Sequence, residues 1–597
     1  MPGTTVVENP PDRGRLADVL ESVQFTDDYE RHDVVDDEET VIAHTGYAQY
    51  PVDVFETDGC TAVLEGYLYG ADDVEATIED AVTGLLEDRT DRLSEWIASR
   101  DGDFLLTVYD PTEGRTWVLN DAFGRLPTYR ATVGDTTVLT RELKVARTLV
   151  RELDDGLDPD TLALGQMLLF GYPLGTRTLY DGVEQLPPGS LLEFGSDEVR
   201  SLHEFRFDRH ANAHRSVEAN AQRLRDSFVE ACENRAGVGD RTVVSLSGGL
   251  DSRAVIAGYR HVDEPLLAAT SARTDGGNSA EVDVARQVAH SLEVPWTSYI
   301  AERTDRQRER LLDMTQGMNN LGMAIGLDFA EQVGTDHAGA VFVTGDGGDK
   351  AIPDLTPSSS VETVDDLVET IVAGQQVYPL EDVTDLVDVE ADALVQSVRE
   401  RVQSYPETSL DGSYVHFLVR ERGINWLNHG EDRTRYHLWS TTPFYSLPFF
   451  TEAMACPPEQ KRGTHLYREF LAALSPTALG IDYVDFGAPV DSLEYRMKRY
   501  CYDWLTDHPA LAEHVSQFLN RNGGSDGRPD ALVDATHGAT GLDRYFSREE
   551  VQRIAWADGA YTSEQRNLLF TLVAALSNDL ESESESESAT RRPILDA

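Results

Sequence analysis

The segment 242–252, TVVSLSGGLDS, restricts the fold more than any other part of the chain. Thr242 to Leu246 is a β-branched and apolar run suited to a buried strand. It leads straight into a glycine-rich turn, and the following RAVIAGY has a helical composition. Glycines at such a turn let the backbone approach an anion. The hydroxyls of Ser247 and Ser252 can donate to that anion, and the first turn of the helix offers unpaired N–H groups. Asp251 inside this loop would repel phosphate unless a divalent cation stood between them, so the pattern predicts Mg-ATP. There is no GxxxxGK[ST] motif and no lysine nearby, so the loop is not of the Walker type; an ordinary glycine-rich strand-to-helix turn is the competing reading.

The surrounding pattern supports an α/β domain. From about residue 215, the strand candidates TVVSLS, PLLAATS and AVFVTGD are each followed by a helical segment, which predicts a parallel sheet with helices on its faces. Between 41 and 200 the pattern differs. Short β-rich runs (TAVLEGYLYG, DFLLTVYD, RTWVLND, TTVLTREL) separated by Gly, Asp and Pro predict an antiparallel sheet domain, with helices around 72–100 and 160–170. Residues 1–40 are polar and read as an extension ahead of the first folded unit. Beyond about 355 the chain reads as mostly helical, and the ESESESES run near the C-terminus predicts a disordered tail.

Charge narrows the partners. The formal net charge is -55, from 106 acidic against 51 basic residues, and only four of the basic residues are lysines: Lys144, Lys350, Lys461 and Lys498. With 40% hydrophobic residues still patterned between the carboxylates, the chain is globular, and its acidic surface reads as one built for concentrated salt. No basic stripe is present, which argues against nucleic acid as the main partner. Cys60, Cys232, Cys456 and Cys501 lie far apart without CxxC spacing and read as buried small hydrophobes. No run of 18 apolar residues occurs and the N-terminus lacks a signal-peptide core, so the expected location is cytoplasmic.

SLSGGLDSR matches the SGGxDS pyrophosphate-binding loop of N-type ATP pyrophosphatases, and its surroundings resemble the asparagine synthetase family. VFVTGDGGDK resembles that family's second acidic turn, aligning Thr344, Gly345, Asp346, Gly347 and Asp349. The resemblance implies that Ser247, Gly248, Gly249, Leu250, Asp251 and Ser252 cradle pyrophosphate. It also implies that Asp251 and Asp349 hold Mg2+, and that Leu246, Thr270, Thr344 and Gly345 contact the adenosine part. Asp346 stands where the family has a catalytic-site glutamate. Glu281 opens a helix in the intervening segment and reads as electrostatic. The runs DGDFLLTVYDPTEGRTWVLNDAFGRLPTYR, TRTLYDGVEQLPPGSLLEF, TPFYSLPFF and GTHLYREFLAALSP extend the resemblance over most of the chain.

The chain also departs from the family. Glutamine-using members carry an N-terminal cysteine nucleophile, whereas this chain begins Met1-Pro2. Cys60 is internal and reads as structural. Glu65 replaces the asparagine that helps form the oxyanion hole, although Gly66 and Asp101 match. The family's C-terminal lysine has no clear counterpart, because YVDFGAP occupies that stretch. Lys350 is therefore the candidate catalytic lysine, with Lys461 and Lys498 as the other downstream choices. Arg253 follows the loop and could reach a phosphate or pair with a carboxylate.

The expected fold is α/β: an adenine-nucleotide hydrolase-like parallel-sheet synthetase domain preceded by an N-terminal nucleophile hydrolase-like α+β sandwich. The expected organisation is a polar extension at 1–40, a degenerate glutamine amidotransferase-like domain at 41–205, an ATP-pyrophosphatase domain at 215–577, and an acidic tail at 578–597. The expected function is ATP- and Mg2+-dependent amide formation. A carboxylate, by default aspartate, is activated as its AMP ester and aminated by ammonia or an amine. Amidation of another carboxylate and a nucleotide-binding pseudoenzyme are the alternatives. The partners are small molecules, with no nucleic acid or membrane, and a homodimer is compatible.

Overall fold

In the computed structural model, which describes residues 2–153, 158–196, 198–506, 542–557 and 560–585, the first two hundred residues form two antiparallel sheets. One sheet contains β1 (Gly3–Glu8), β2 (Glu30–Asp36), β3 (Thr40–Gly46), β8 (Tyr129–Val133), β9 (Thr136–Thr140) and β10 (Val183–Gln185), in the order β10-β8-β9-β1-β3-β2. The other contains β4 (Val52–Thr57), β5 (Cys60–Tyr69), β6 (Asp101–Asp110), β7 (Arg115–Asn120), β11 (Ser190–Glu193) and β12 (Val199–Ser201), in the order β12-β11-β7-β6-β5-β4. Val6, Val7 and Ile42 of the first sheet share a core with Val63, Leu64 and Leu106 of the second. Every residue of β6 is buried, as expected for a central strand covered on both faces. Helices Val74–Leu86, Thr90–Ala98 and Thr161–Phe170 lie where the sequence predicts them.

The expected N-terminal extension is a correction. Gly3–Glu8 is an interior strand of the first sheet, paired antiparallel with both β3 and β9. The helix Arg13–Glu21 that follows buries Leu16, Val19 and Leu20. Six residues of GTTVVE are too short a run to stand out beside their polar flanks, and their burial is supplied by partners more than thirty and a hundred residues away.

The second half is built on a parallel sheet. Strands β13 (Thr242–Ser245), β14 (Leu266–Arg273), β15 (Trp296–Ala301), β16 (Val341–Val343) and β17 (Ser440–Thr441) lie in the order β15-β14-β13-β16-β17, and every pairing is parallel. The three predicted strands are β13, β14 and β16. Around them the chain is largely helical. The helix Ser563–Glu585 runs into the segment expected to be a disordered tail, and residues 586–597 lie outside the described residues.

Candidate active site

β13 and β16 are neighbours, with Val244 opposite Val343, so the loops leaving their carboxyl ends meet side by side. The contact is made by backbone. A methyl group on Gly345 would lie 2.7 Å from the Ser252 amide nitrogen, and one on Gly348 would lie 2.6 Å from Asp251 Cγ. Gly347, at φ +88°, packs against the Tyr445 ring. Within the first loop, Ser247 N donates to Ser252 Oγ at 3.0 Å and Gly249 N donates to Ser247 Oγ at 3.2 Å. The two serine hydroxyls lie 2.9 Å apart. These hydroxyls brace the loop, while the helix Leu250–Tyr259 has no side chain capping its first turn, so its N–H groups face outward for an anion.

Two carboxylates converge on this junction. Asp251 is partly buried and accepts a hydrogen bond from Tyr467 Oη at 2.7 Å. Burial, with repulsion from Asp349, pushes its carboxyl up to about 7, against the pull of Tyr467 and Lys350. Lys350, nine-tenths buried, pairs with Asp349 at 2.6 Å. A carboxylate whose negative charge is so poorly compensated fits a hard divalent cation. Among the described residues no cluster of three or more ligating side chains cages a metal unaided. The donor set therefore suits Mg2+ whose remaining ligands are phosphate oxygens and water.

Asp346 lies on the other side of the same turn. Burial, reinforced by Glu431, pushes its carboxyl up to about 7, and Arg125 and Arg433 oppose that rise. Thr344 Oγ1 accepts from Asp346 N at 3.2 Å and donates to Glu431, which also accepts from Ser440 Oγ. Asp346, Asp349, Asp251 and Lys350 thus lie around one junction.

Other expectations are adjusted. Thr270 is buried; its hydroxyl donates to the Leu246 carbonyl at 2.8 Å and accepts from Trp296 Nε1 at 2.9 Å, so its side chain braces the strand ends. Arg253 pairs with no carboxylate: it is fully buried and donates to the carbonyls of Ala478, Ile481, Gly248 and Asp482, mooring the 478–482 segment under the loop. Glu281 sits at the start of its helix, where the Gly248 backbone donates to it. Lys461 is no surface charge: it is buried, donates to the Ala351 carbonyl at 3.2 Å, and is pushed down to about 8 by burial. Lys498 is exposed. Cys60, Cys232 and Cys456 are buried, whereas Cys501 is exposed.

Where the family carries its oxyanion-hole asparagine, Glu65 is fully buried and fully engaged. It accepts from Thr4 N at 2.8 Å, from Arg141 Nε at 2.9 Å and from Tyr50 Oη. Arg141 also donates to Asp432 in the second half of the chain. From there a buried ionic chain continues. Arg435 reaches Asp432 and Asp103 (3.8 and 3.2 Å), and Arg125 lies 3.4 Å from Asp103 and 3.6 Å from Glu431. A separate bidentate pair joins Arg235 to Asp101 at 2.8 and 2.9 Å.

Glu431 and Arg433 carry no motif, and Tyr467 lies within GTHLYREFLAALSP, a run the sequence ties to no role at the site. The helix Asn428–Arg435, NHGEDRTR, holds no apolar residue, yet Glu431, Asp432 and Arg435 are completely buried. The usable signal is a run of charges of both signs with no apolar face, five residues ahead of the largely buried TTPFYSLPFF segment.

Residues 90–206 match the family described as a glutamine amidotransferase domain, and residues 223–352 match asparagine synthase. No curated protein matches the chain significantly. Among solved structures, the chain is similar to glutamine phosphoribosylpyrophosphate amidotransferase from B. subtilis complexed with ADP and GMP, at 12% identity and a TM-score of 0.23, over 69% of this chain and 94% of that one. It is also similar to NMN synthetase from Francisella tularensis, at 14% identity and a TM-score of 0.19, over 36% of this chain and 96% of that one. The two family matches and the sheet topologies agree on the architecture: an N-terminal nucleophile hydrolase-like sandwich joined to a parallel-sheet synthetase domain.

Proposed function

Because residues 90–206 match a glutamine amidotransferase domain and residues 223–352 match asparagine synthase, we propose that the chain is an asparagine synthetase-like, ATP-dependent ligase that activates a carboxylate as its AMP ester and converts it to an amide. The observation that carries this reading is the packing of the Ser247–Ser252 loop against the Thr344–Asp349 turn, with Asp251 and Asp349 at their junction. Asp251 and Asp349 would hold Mg2+, which would neutralise pyrophosphate as it leaves. The first turn of the helix Leu250–Tyr259 and the backbone of Ser247 to Gly249 bind the pyrophosphate oxygens. Lys350, held by Asp349, adds the positive charge nearest the departing group. Asp346 accepts a proton from the attacking amine, a task suited to a carboxyl poised at about 7. Aspartate is the default carboxylate and ammonia the default nitrogen source.

We read the amidotransferase-type domain as inactive towards glutamine, because Glu65 would set a carboxylate where a developing oxyanion needs donors. Cys60 offers no nucleophile: burial and the nearby carboxylates Asp110 and Asp58 push its thiol up to about 11. The strongly acidic surface suits a cytoplasm of high salt. Among the described residues no helix is long and apolar enough to cross a membrane. A second reading is amidation of another carboxylate, or with another amine, through the same loop and turn.

Pyrophosphate release from ATP in molar KCl with Mg2+, aspartate and either ammonium or glutamine tests the proposal, with Asp251→Ala as the control. Release with ammonium, lost in the variant, supports it. Efficient use of glutamine would sink the reading of the first domain. Release only with another carboxylate or amine would move the assignment to the second reading.

A further inference from the structure

The proposed reaction assigns no task to the amidotransferase-type domain, yet that domain reaches into the synthetase site. Resting on that proposed reaction, we infer that Arg125, from the loop after β7, is a positioning residue of the synthetase reaction, and that the first domain serves to deliver it. Arg125 is completely buried. It donates to Asn428 Oδ1, lies 3.6 Å from Glu431 Oε1 and 3.4 Å from Asp103 Oδ1, and its guanidinium stacks on the Tyr445 ring at 4.5 Å. Two of these partners, Glu431 and Tyr445, lead to the reaction centre. Glu431 accepts from Thr344 Oγ1, which in turn caps the amide of Asp346. Tyr445 packs against Gly347 of the same turn. Asn428 closes the arrangement by donating back to the carbonyls of Phe123 and Gly124, so the Arg125 loop is held from both sides.

Buried charge explains why the arrangement needs a second domain. Glu431 has no exposed surface, and a buried carboxylate costs several kcal/mol unless a cation and hydrogen bonds meet it. On its own half of the chain the nearby cation is Arg433, which is shared with Asp346. Arg125 supplies the second. It is itself held at the correct height by Asp103, which Arg435 and the Thr441 hydroxyl also grip, the latter at 2.8 Å. Removing Arg125 leaves Glu431 to repel Asp346 across Thr344, so the catalytic turn loses the geometry that aims Asp346.

The test is steady-state kinetics on the full chain in molar KCl, comparing Arg125→Lys, Arg125→Gln and the double variant Arg125→Gln/Glu431→Gln. Arg125→Lys keeps the charge and should retain activity within about tenfold. Arg125→Gln should lower kcat by about a hundredfold while the KM for ATP stays within about threefold, because the pyrophosphate loop is untouched. The double variant removes both buried charges, and with them the repulsion of Asp346 by Glu431, so it should regain kcat to within about tenfold of the wild type. In Arg125→Gln alone the midpoint of the rising pH–rate limb should move above its wild-type value, a change that a loss of stability by itself would not produce. A double variant as slow as Arg125→Gln, an unmoved pH midpoint in Arg125→Gln, or an Arg125→Gln enzyme as fast as wild type would overturn the inference. A wild type that releases no pyrophosphate with any carboxylate would instead count against the underlying reaction.

Discussion

The hydroxyl of Tyr467 donates to Oδ1 of Asp251 at 2.7 Å, across 216 residues of chain. It is the hydrogen bond that most lowers the Asp251 carboxyl, against a rise driven by burial and by Asp349. Tyr467→Phe should therefore raise that carboxyl further above 7. More of it is then protonated at neutral pH, and its hold on a divalent cation weakens. The expected result is about a tenfold higher half-saturating Mg2+ concentration for pyrophosphate release, with kcat at saturating Mg2+ changed much less. An unaltered Mg2+ titration would count against Asp251 as a ligand.

Asp346 works as a base only when ionised, and burial with Glu431 alongside places its carboxyl at about 7. The rate should climb as pH rises through about 7 and level off above it, the midpoint belonging to the Asp346–Glu431 pair. Asp346→Asn should cost about a hundredfold in kcat and flatten that limb. A variant that keeps the wild-type profile would remove Asp346 from the mechanism.

Glutamine should support no more product than the ammonium contaminating it, and Cys60→Ser should leave every rate unchanged. The Cys60 thiol is buried at the start of β5 and pushed up to about 11, so almost none is thiolate at neutral pH. Glutamate release measured directly decides the matter. Release abolished by Cys60→Ser would restore a glutaminase to the first domain.

Lys461 gives a stability prediction with a definite sign. Burial holds its folded pKa at about 8, against 10.5 for the ordinary side chain. Between those values the unfolded chain binds more protons, so this lysine's penalty on folding is full below pH 8 and fades as pH rises to 10.5. Lys461→Met should stabilise the protein at pH 7 by up to about 3 kcal/mol, an advantage that disappears by pH 10.5. Denaturant melts of both proteins at the two pH values measure it. A constant difference would show that Lys461 is not the group responsible.

Much of the site was legible locally. TVVSLSGGLDS announces its strand, turn and helix within one short stretch, because a buried parallel strand, a glycine turn and an open helix N-terminus are all near-neighbour properties. The same holds for the Thr344–Asp349 turn, where a Cβ on Gly348 would lie 2.6 Å from Asp251 Cγ, so the position leaves no room for a side chain. Gly3–Glu8 was misread as an extension because its burial comes from β3 and β9, which no local pattern reports.

By itself the sequence determined the two sheet architectures and the pairing of a pyrophosphate-type loop with a second acidic turn. Periodicity, glycine placement and residue identity carry those directly. Only the tertiary structure decided which charges matter. NHGEDRTR holds no apolar residue, yet it lies at the interface of the two halves, where Glu431, Asp432 and Arg435 meet Arg125, Arg141 and Asp103 out of reach of water. A charged side chain is written identically whether it faces solvent or a buried partner. The burial that distinguishes the two comes from residues hundreds of positions away.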